Sequence, residues 1–135
     1  MSFHMSQQLP KINDKTLLKR ALATLKFAVT ELGTPTAVRG YGNEILMTGC
    51  ELVLRRESTG LAADIGFHQE RDGSFTLVSD SYANTKLEQF MANLKRTYEE
   101  EKAITKAQTL GYKVVSRGRW IQRGEERLLQ LRLAR

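Results

Sequence analysis

Asp64, His68, Thr76 and Asp80 lie in DIGFHQERDGSFTLVSD, residues 64–80, with a third aspartate, Asp72, between them. The Asp-Gly pair at 72–73 marks a turn, so the segment reads as a hairpin. A two-residue turn at Asp72-Gly73 pairs Arg71 with Ser74 and puts Asp64 opposite Ser81. A three-residue loop, Arg71-Asp72-Gly73 with Gly73 left-handed, instead pairs Glu70 with Ser74 and Phe67 with Leu77. The second register collects Ile65, Phe67, Phe75 and Leu77 on one face and is preferred for that reason. It sets Asp64 against Asp80 on the other face, beside His68 and Thr76. Facing carboxylates repel, so a divalent cation, an arginine or a shared proton has to compensate. Arg39, in VRGY, is the arginine expected to do so. Arg39, Asp64, His68 and Asp80 therefore form a candidate acid–base or metal site. The same residues also describe a structural hairpin, in which Asp80 caps the turn into SYAN and Asp64 is hydrated or paired to arginine.

Other catalytic templates are missing from the sequence. There is no GxGxxG fingerprint, no GxxxxGK[ST] loop and no GxSxG elbow. The chain has two histidines, and His4 lies near the start, so no multi-histidine metal centre is expected. The single cysteine, Cys50, excludes an intrachain disulfide and paired-thiol metal sites. It lies in a strand-like segment and reads as core rather than nucleophile. No cofactor or resident metal is expected.

The net charge is +6, and residues 111–135 account for +5 of it, with seven Lys and Arg against two acidic residues. That segment reads as a hairpin, YKVVSRGRWIQ–RGEE–RLLQLRLAR. Arg117, Arg119 and Arg123 fall at strand spacing and can project from one side, with Trp120 on the other unless Gly118 introduces a bulge. Arg127, Arg132 and Arg135 add charge on the returning strand. Arginines on such a ribbon pair with phosphates or carboxylates, and Tyr112 or Trp120 offers a stacking ring. Arg117, Arg119, Trp120, Arg123, Arg127 and Arg132 thus form a candidate surface for RNA or for an acidic protein. The alternative is a core tryptophan with arginines that solvate an edge strand.

These residues need elements to hold them. A chain of 135 residues suits one domain. Residues 1–13 read as a loose tail and 14–135 as a single domain. Asp14 caps a helix over 15–32, with Leu18, Ala21, Leu22, Leu25, Ala28, Val29 and Leu32 on one face and Gly33 as its stop. Strand-like segments follow at 36–42, 44–57, 62–70 and 74–80. In the second of them Cys50, Leu52 and Leu54 share a side. A second helix runs from a cap at Asn84 to Leu110, burying Leu87, Phe90, Met91, Leu94 and Tyr98. Its acidic run, Glu99, Glu100 and Glu101, reads as surface, with Lys102 and Lys106 in pairing distance. The C-terminal hairpin completes the order α-β-β-β-(β)-α-β-β. Hairpin-linked strands imply an antiparallel sheet of about five or six strands with two helices on one face, an α+β fold. The other face is left for solvent or a partner. No apolar run is long enough for a membrane-spanning helix, and the polar N-terminus lacks the apolar core of a secretory signal.

VRGYG at 38–42, ADIGF at 63–67, Asp72-Gly73 and LVSD at 77–80 resemble the small proteins of cyanobacteria and algal plastids called hypothetical chloroplast reading frame thirty-five. Tyr98, LGYKVV and the terminal RLLQLRL are also similar, so the resemblance spans roughly residues 14–135. The leading SFHMSQQLPKI departs from it. The resemblance implies a soluble protein of a cyanobacterial cytoplasm or a plastid stroma, in a family of unknown function, and it supplies no catalytic residue. Residues and resemblance together lead to an accessory, non-enzymatic protein that binds RNA or an acidic protein surface. The alternative is an enzyme or metal-binding protein built on the Asp64/Asp80 face, and a third possibility is a structural subunit that docks through an open sheet face.

Overall fold

The computed structural model describes residues 4–9, 11–29, 36–39, 45–61, 63–80 and 86–134. In chain order the elements are β1 His4–Leu9, α1 Lys15–Thr24, β2 Thr36–Arg39, β3 Ile45–Cys50, β4 Leu52–Leu54, α2 Arg56–Thr59, β5 Ile65–Gln69, β6 Phe75–Asp80, α3 Leu87–Thr109, β7 Lys113–Arg123 and β8 Glu126–Ala134. The fold is α+β and its strand pairs are antiparallel, as expected. The strands do not form the one sheet of five or six strands expected: the chain bends between β3 and β4, so β2-β3 packs over the face of a four-stranded sheet, β1-β6-β5-β4, and β7-β8 is a second separate ribbon held to α3.

The central hairpin adopts the three-residue loop. Glu70 N–H donates to the Ser74 carbonyl at 2.8 Å, Phe67 pairs with Leu77, and Gly73 takes φ +92°. Only glycine adopts that conformation at little cost. Asp72 fixes the turn by accepting from the Ser74 N–H at 2.9 Å and the Ser74 hydroxyl at 2.6 Å. These bonds hold the Asp72 carboxyl below its usual range.

Alternation along the sheet then builds two cores. Leu9, Leu52, Leu54, Ile65, Phe67, Phe75 and Leu77 meet α1 through Leu18, Ala21 and Leu22, and α3 through Leu87, Phe90, Met91, Leu94 and Tyr98. Both long helices therefore cover one face. On the opposite face Val53 and Val78 meet Val38 and Cys50 of the β2-β3 ribbon. Gly66 permits this approach, because a Cβ there would collide with Val38 Cγ2 and lie 2.9 Å from Cys50 Sγ. The face expected to stay open is thus covered around Gly66 by the protein's own ribbon.

Four further expectations are corrected. First, residues 1–13 are not wholly a loose tail. β1 pairs with β6 from His4↔Asp80 to Leu9↔Phe75, and Leu9 and Ile12 are buried. The Tyr98 hydroxyl anchors this segment by accepting from the backbone N–H groups of Asn13 and Asp14 at 3.3 and 3.2 Å.

Second, α1 is capped by Asp14, which accepts from the Leu17 N–H at 3.1 Å, but it ends at Thr24 rather than residue 32. Lys26 turns left-handed at φ +66°. From the cap residue onward, Leu25, Phe27 and Val29 pack against the core at a spacing of two. That pattern serves an extended chain as well as a helix.

Third, the long strand at 44–57 breaks at Glu51, so Cys50 joins the Val38 core while Leu52 and Leu54 join the main one. Fourth, Glu101 is buried rather than on the surface. It accepts from the Thr24 hydroxyl and from Arg117 Nη2, each at 2.7 Å. At α3, Lys86 holds the cap position without a side-chain bond, and Asn84 lies outside the described residues.

Candidate functional sites: the Asp64 hub and the basic ribbon

Asp64 precedes β5, so its side chain projects onto the face covered by the β2-β3 ribbon, and it is wholly buried. Its carboxylate accepts from Arg39 Nε at 2.9 Å, Arg39 Nη2 at 3.2 Å, Arg55 Nη1 at 2.7 Å, and the backbone N–H groups of Arg39 and Arg56 at 3.0 and 2.9 Å. Backbone bonds close the hub, from Asp64 N–H to the Arg39 carbonyl at 2.9 Å and from the Ser79 hydroxyl to the Asp64 carbonyl at 3.1 Å. Burial alone would raise the Asp64 pKa. The bonds from Arg39, the Arg56 and Arg39 N–H groups and Arg55 outweigh it and hold the group at about 2. Arg39 also grips the exposed Glu57. Its own pKa is raised, first by Asp64 and then by Glu57.

Arg39 is therefore the arginine that meets Asp64. Arg55, Arg56 and Glu57 complete the hub, and sequence reasoning did not find them. Their only signal is the run RRE directly after an apolar strand. Ile65 pairs with Ser79, which places Asp80 across from Asp64, and Asp80 is also buried. His68 is not part of the hub. It pairs with Thr76 across the hairpin, and its Nδ1 lies 3.5 Å from Glu51 Oε2. Among the described residues no three His, Cys, Asp or Glu side chains are grouped to hold a metal ion.

The β7-β8 ribbon is positioned by α3. Trp120 Nε1 donates to Glu100 Oε1 at 2.7 Å, and Arg117 reaches Glu100 Oε2 at 3.4 Å and Glu101 Oε1 at 2.7 Å. The pairing register shifts between Val114 and Ser116 and again between Ser116 and Arg119. The second shift breaks the alternation that would have kept Arg117 with Arg119. Arg117 and Trp120 both engage the helix. Arg119↔Gln130 and Ile121↔Leu128 pair on the alternate face, which Arg123 shares by alternation along β7, with Arg132 further along β8. Arg119, Arg123 and Arg132 are exposed there, and Arg119 and Arg132 form no ion pair with a described residue. Arg127 pairs in register with Gln122, and Arg135 lies outside the described residues. Val115, Leu128 and Leu133 leave 59%, 42% and 40% of their surface exposed, so the ribbon is only partly covered.

The class defined by these features is a small α+β protein with a buried arginine–aspartate hub and a projecting basic ribbon. Residues 21–128 match the model of the family described as Protein of unknown function (DUF1257), and the chain belongs to that family. Comparison with curated proteins and with solved structures returned no match. No helix among the described residues is long and apolar enough to cross a membrane.

Proposed function

We propose that this chain is a small non-enzymatic accessory protein that binds an anionic partner, RNA or an acidic protein surface, through the outer face of the β7-β8 ribbon. One observation carries the reading. Arg119, Arg123 and Arg132 stand exposed on the face turned away from α3, while the ribbon's other face is held by Glu100 and Glu101. The binding set is therefore narrower than the six residues read from sequence. Arg117 and Trp120 position the ribbon, and the outer arginines meet the partner.

The Asp64/Asp80 alternative has less support. Asp64 already accepts five hydrogen bonds and presents no surface to a substrate. The resemblance to the chloroplast reading-frame proteins adds a proposed setting, a cyanobacterial cytoplasm or plastid stroma.

Fluorescence anisotropy with labelled mixed-sequence RNA and labelled polyglutamate, at low and near-physiological salt, tests the reading. At least one polyanion is expected to bind, to weaken steeply with salt, and to be lost in Arg119→Glu/Arg123→Glu/Arg132→Glu. Full retention of binding in that variant would overturn it.

A further inference from the structure

An edge strand pairs with other strands unless its sequence or shape guards it. β4 is only three residues long, and β1 is polar along its middle, Ser6-Gln7-Gln8. β7 carries an extra residue at each of its two register shifts, from Val114↔Leu133 to Ser116↔Arg132 and on to Arg119↔Gln130. Bulges of that kind twist an edge out of plane. β8 has none of these guards. It runs nine residues, Glu126–Ala134, with no extra residue and no proline, and its centre is Leu128-Leu129-Gln130-Leu131. Arg123↔Glu126 closes a two-residue turn and is therefore a hydrogen-bonded pair. By alternation, the backbone N–H and C=O groups of Leu129, Leu131 and Leu133 point away from β7, to an edge where β8 has no neighbouring strand among the described residues. The same leucines share the α3 side of the ribbon with Trp120, yet α3 does not seal them. Leu129 and Leu131 are half-buried, Leu133 keeps 40% of its surface exposed, and no described residue of the ribbon is fully buried.

We propose that β8 pairs antiparallel with β8 of a second copy of this chain, joining two ribbons into one sheet, β7-β8-β8-β7, about a two-fold axis. The sequence of the strand favours itself as the occupant. Full overlap of Glu126–Ala134 with its copy is centred on Gln130. That register pairs Leu129 with the partner's Leu131, Leu128 with the partner's Arg132, Arg127 with the partner's Leu133 and Glu126 with the partner's Ala134. No charged residue is matched with another, so the ribbon's excess of arginine does not oppose the seam. Residues of one parity stay on one face, so the leucines of both copies form one strip on the α3 side and cover the exposed part of Leu133. The pairing also satisfies the edge amides and turns a two-stranded ribbon, marginal alone, into four strands. It does not depend on the anion-binding reading, and it sets the outer arginine faces of the two copies side by side.

Sedimentation equilibrium of the full chain without polyanion, joined to residue-resolved amide hydrogen exchange, tests the proposal. A concentration-dependent dimer is expected. In it the amides of Leu129, Leu131 and Leu133 should exchange as slowly as those of Leu128 and Gln130, which bond to β7. Gln130→Lys puts two ammonium groups beside the axis and should weaken association about tenfold. An equimolar chain carrying Gln130→Glu should restore association as a mixed dimer. A chain that stays monomeric up to submillimolar concentration overturns the proposal. So does a dimer in which Gln130→Lys is silent and the Leu129 and Leu131 amides exchange fast, because that dimer uses another surface.

Discussion

Asp64 is a buried charge whose partners, Arg39 and Arg55, keep about a quarter of their side-chain surface in water. Removing the charge leaves two guanidiniums facing a neutral amide. Asp64→Asn is accordingly expected to destabilise the fold by about 2–4 kcal/mol, read from the urea midpoint. The pH dependence has a definite sign. The folded pKa of about 2 lies below the ordinary 3.8, so the stabilisation is fully present above about pH 4 and is lost as pH falls toward 2. We expect about 1–2 kcal/mol over that window, reduced by the solvent access of the arginines, and a flatter profile in Asp64→Asn. Gly66→Ala should cost about 1–3 kcal/mol, because its methyl group meets Val38 and Cys50 in a closed core. Burial pushes the Cys50 thiol up to about 11. Native protein should therefore react with a thiol reagent at neutral pH only at the rate at which it unfolds. At this scale the sequence was informative about Arg39 and Asp64, because facing aspartates need a cation, an arginine or a shared proton to compensate, and Arg39 was the arginine expected to do so. It was silent on Arg55 and Glu57, whose positions depend on the bend at Glu51.

Among the elements, the β7-β8 ribbon is the least supported. A two-stranded ribbon is marginal alone, and this one is held to α3 partly through Glu100 and Glu101. Glu100→Ala/Glu101→Ala should speed amide hydrogen exchange across residues 113–134 while leaving β5 and β6 protected. Equal protection in both regions would show that apolar contacts alone hold the ribbon. The central hairpin, the cap at Asp14 and the buried stripe of α3 were legible because each has a strong local cause. The end of α1 was not, since Leu25, Phe27 and Val29 fit period two as well as period 3.6. The break at Glu51 was hidden for a similar reason. A single bend residue moves Cys50 to a different core from Leu52 without disturbing the apolar pattern. The inward turn of Arg117 follows from a register shift that composition does not encode, although Gly118 had marked the place where it could occur.

For the molecule as a whole, the sheet divides the labour. One face builds the main core with α1 and α3, the other seats the β2-β3 ribbon over Gly66, and the C-terminal ribbon carries most of the net charge outward. The charge asymmetry was visible in the sequence, but the face that displays it was not. The most direct measurement is amide chemical-shift mapping of the full chain as mixed-sequence RNA, and separately polyglutamate, is added at low salt. Binding through the outer face predicts perturbations concentrated at residues 116–123 and 128–132 with at least one of the two polyanions. Perturbations centred on Arg39, Glu57 and Asp64, or none with either polyanion, would contradict it.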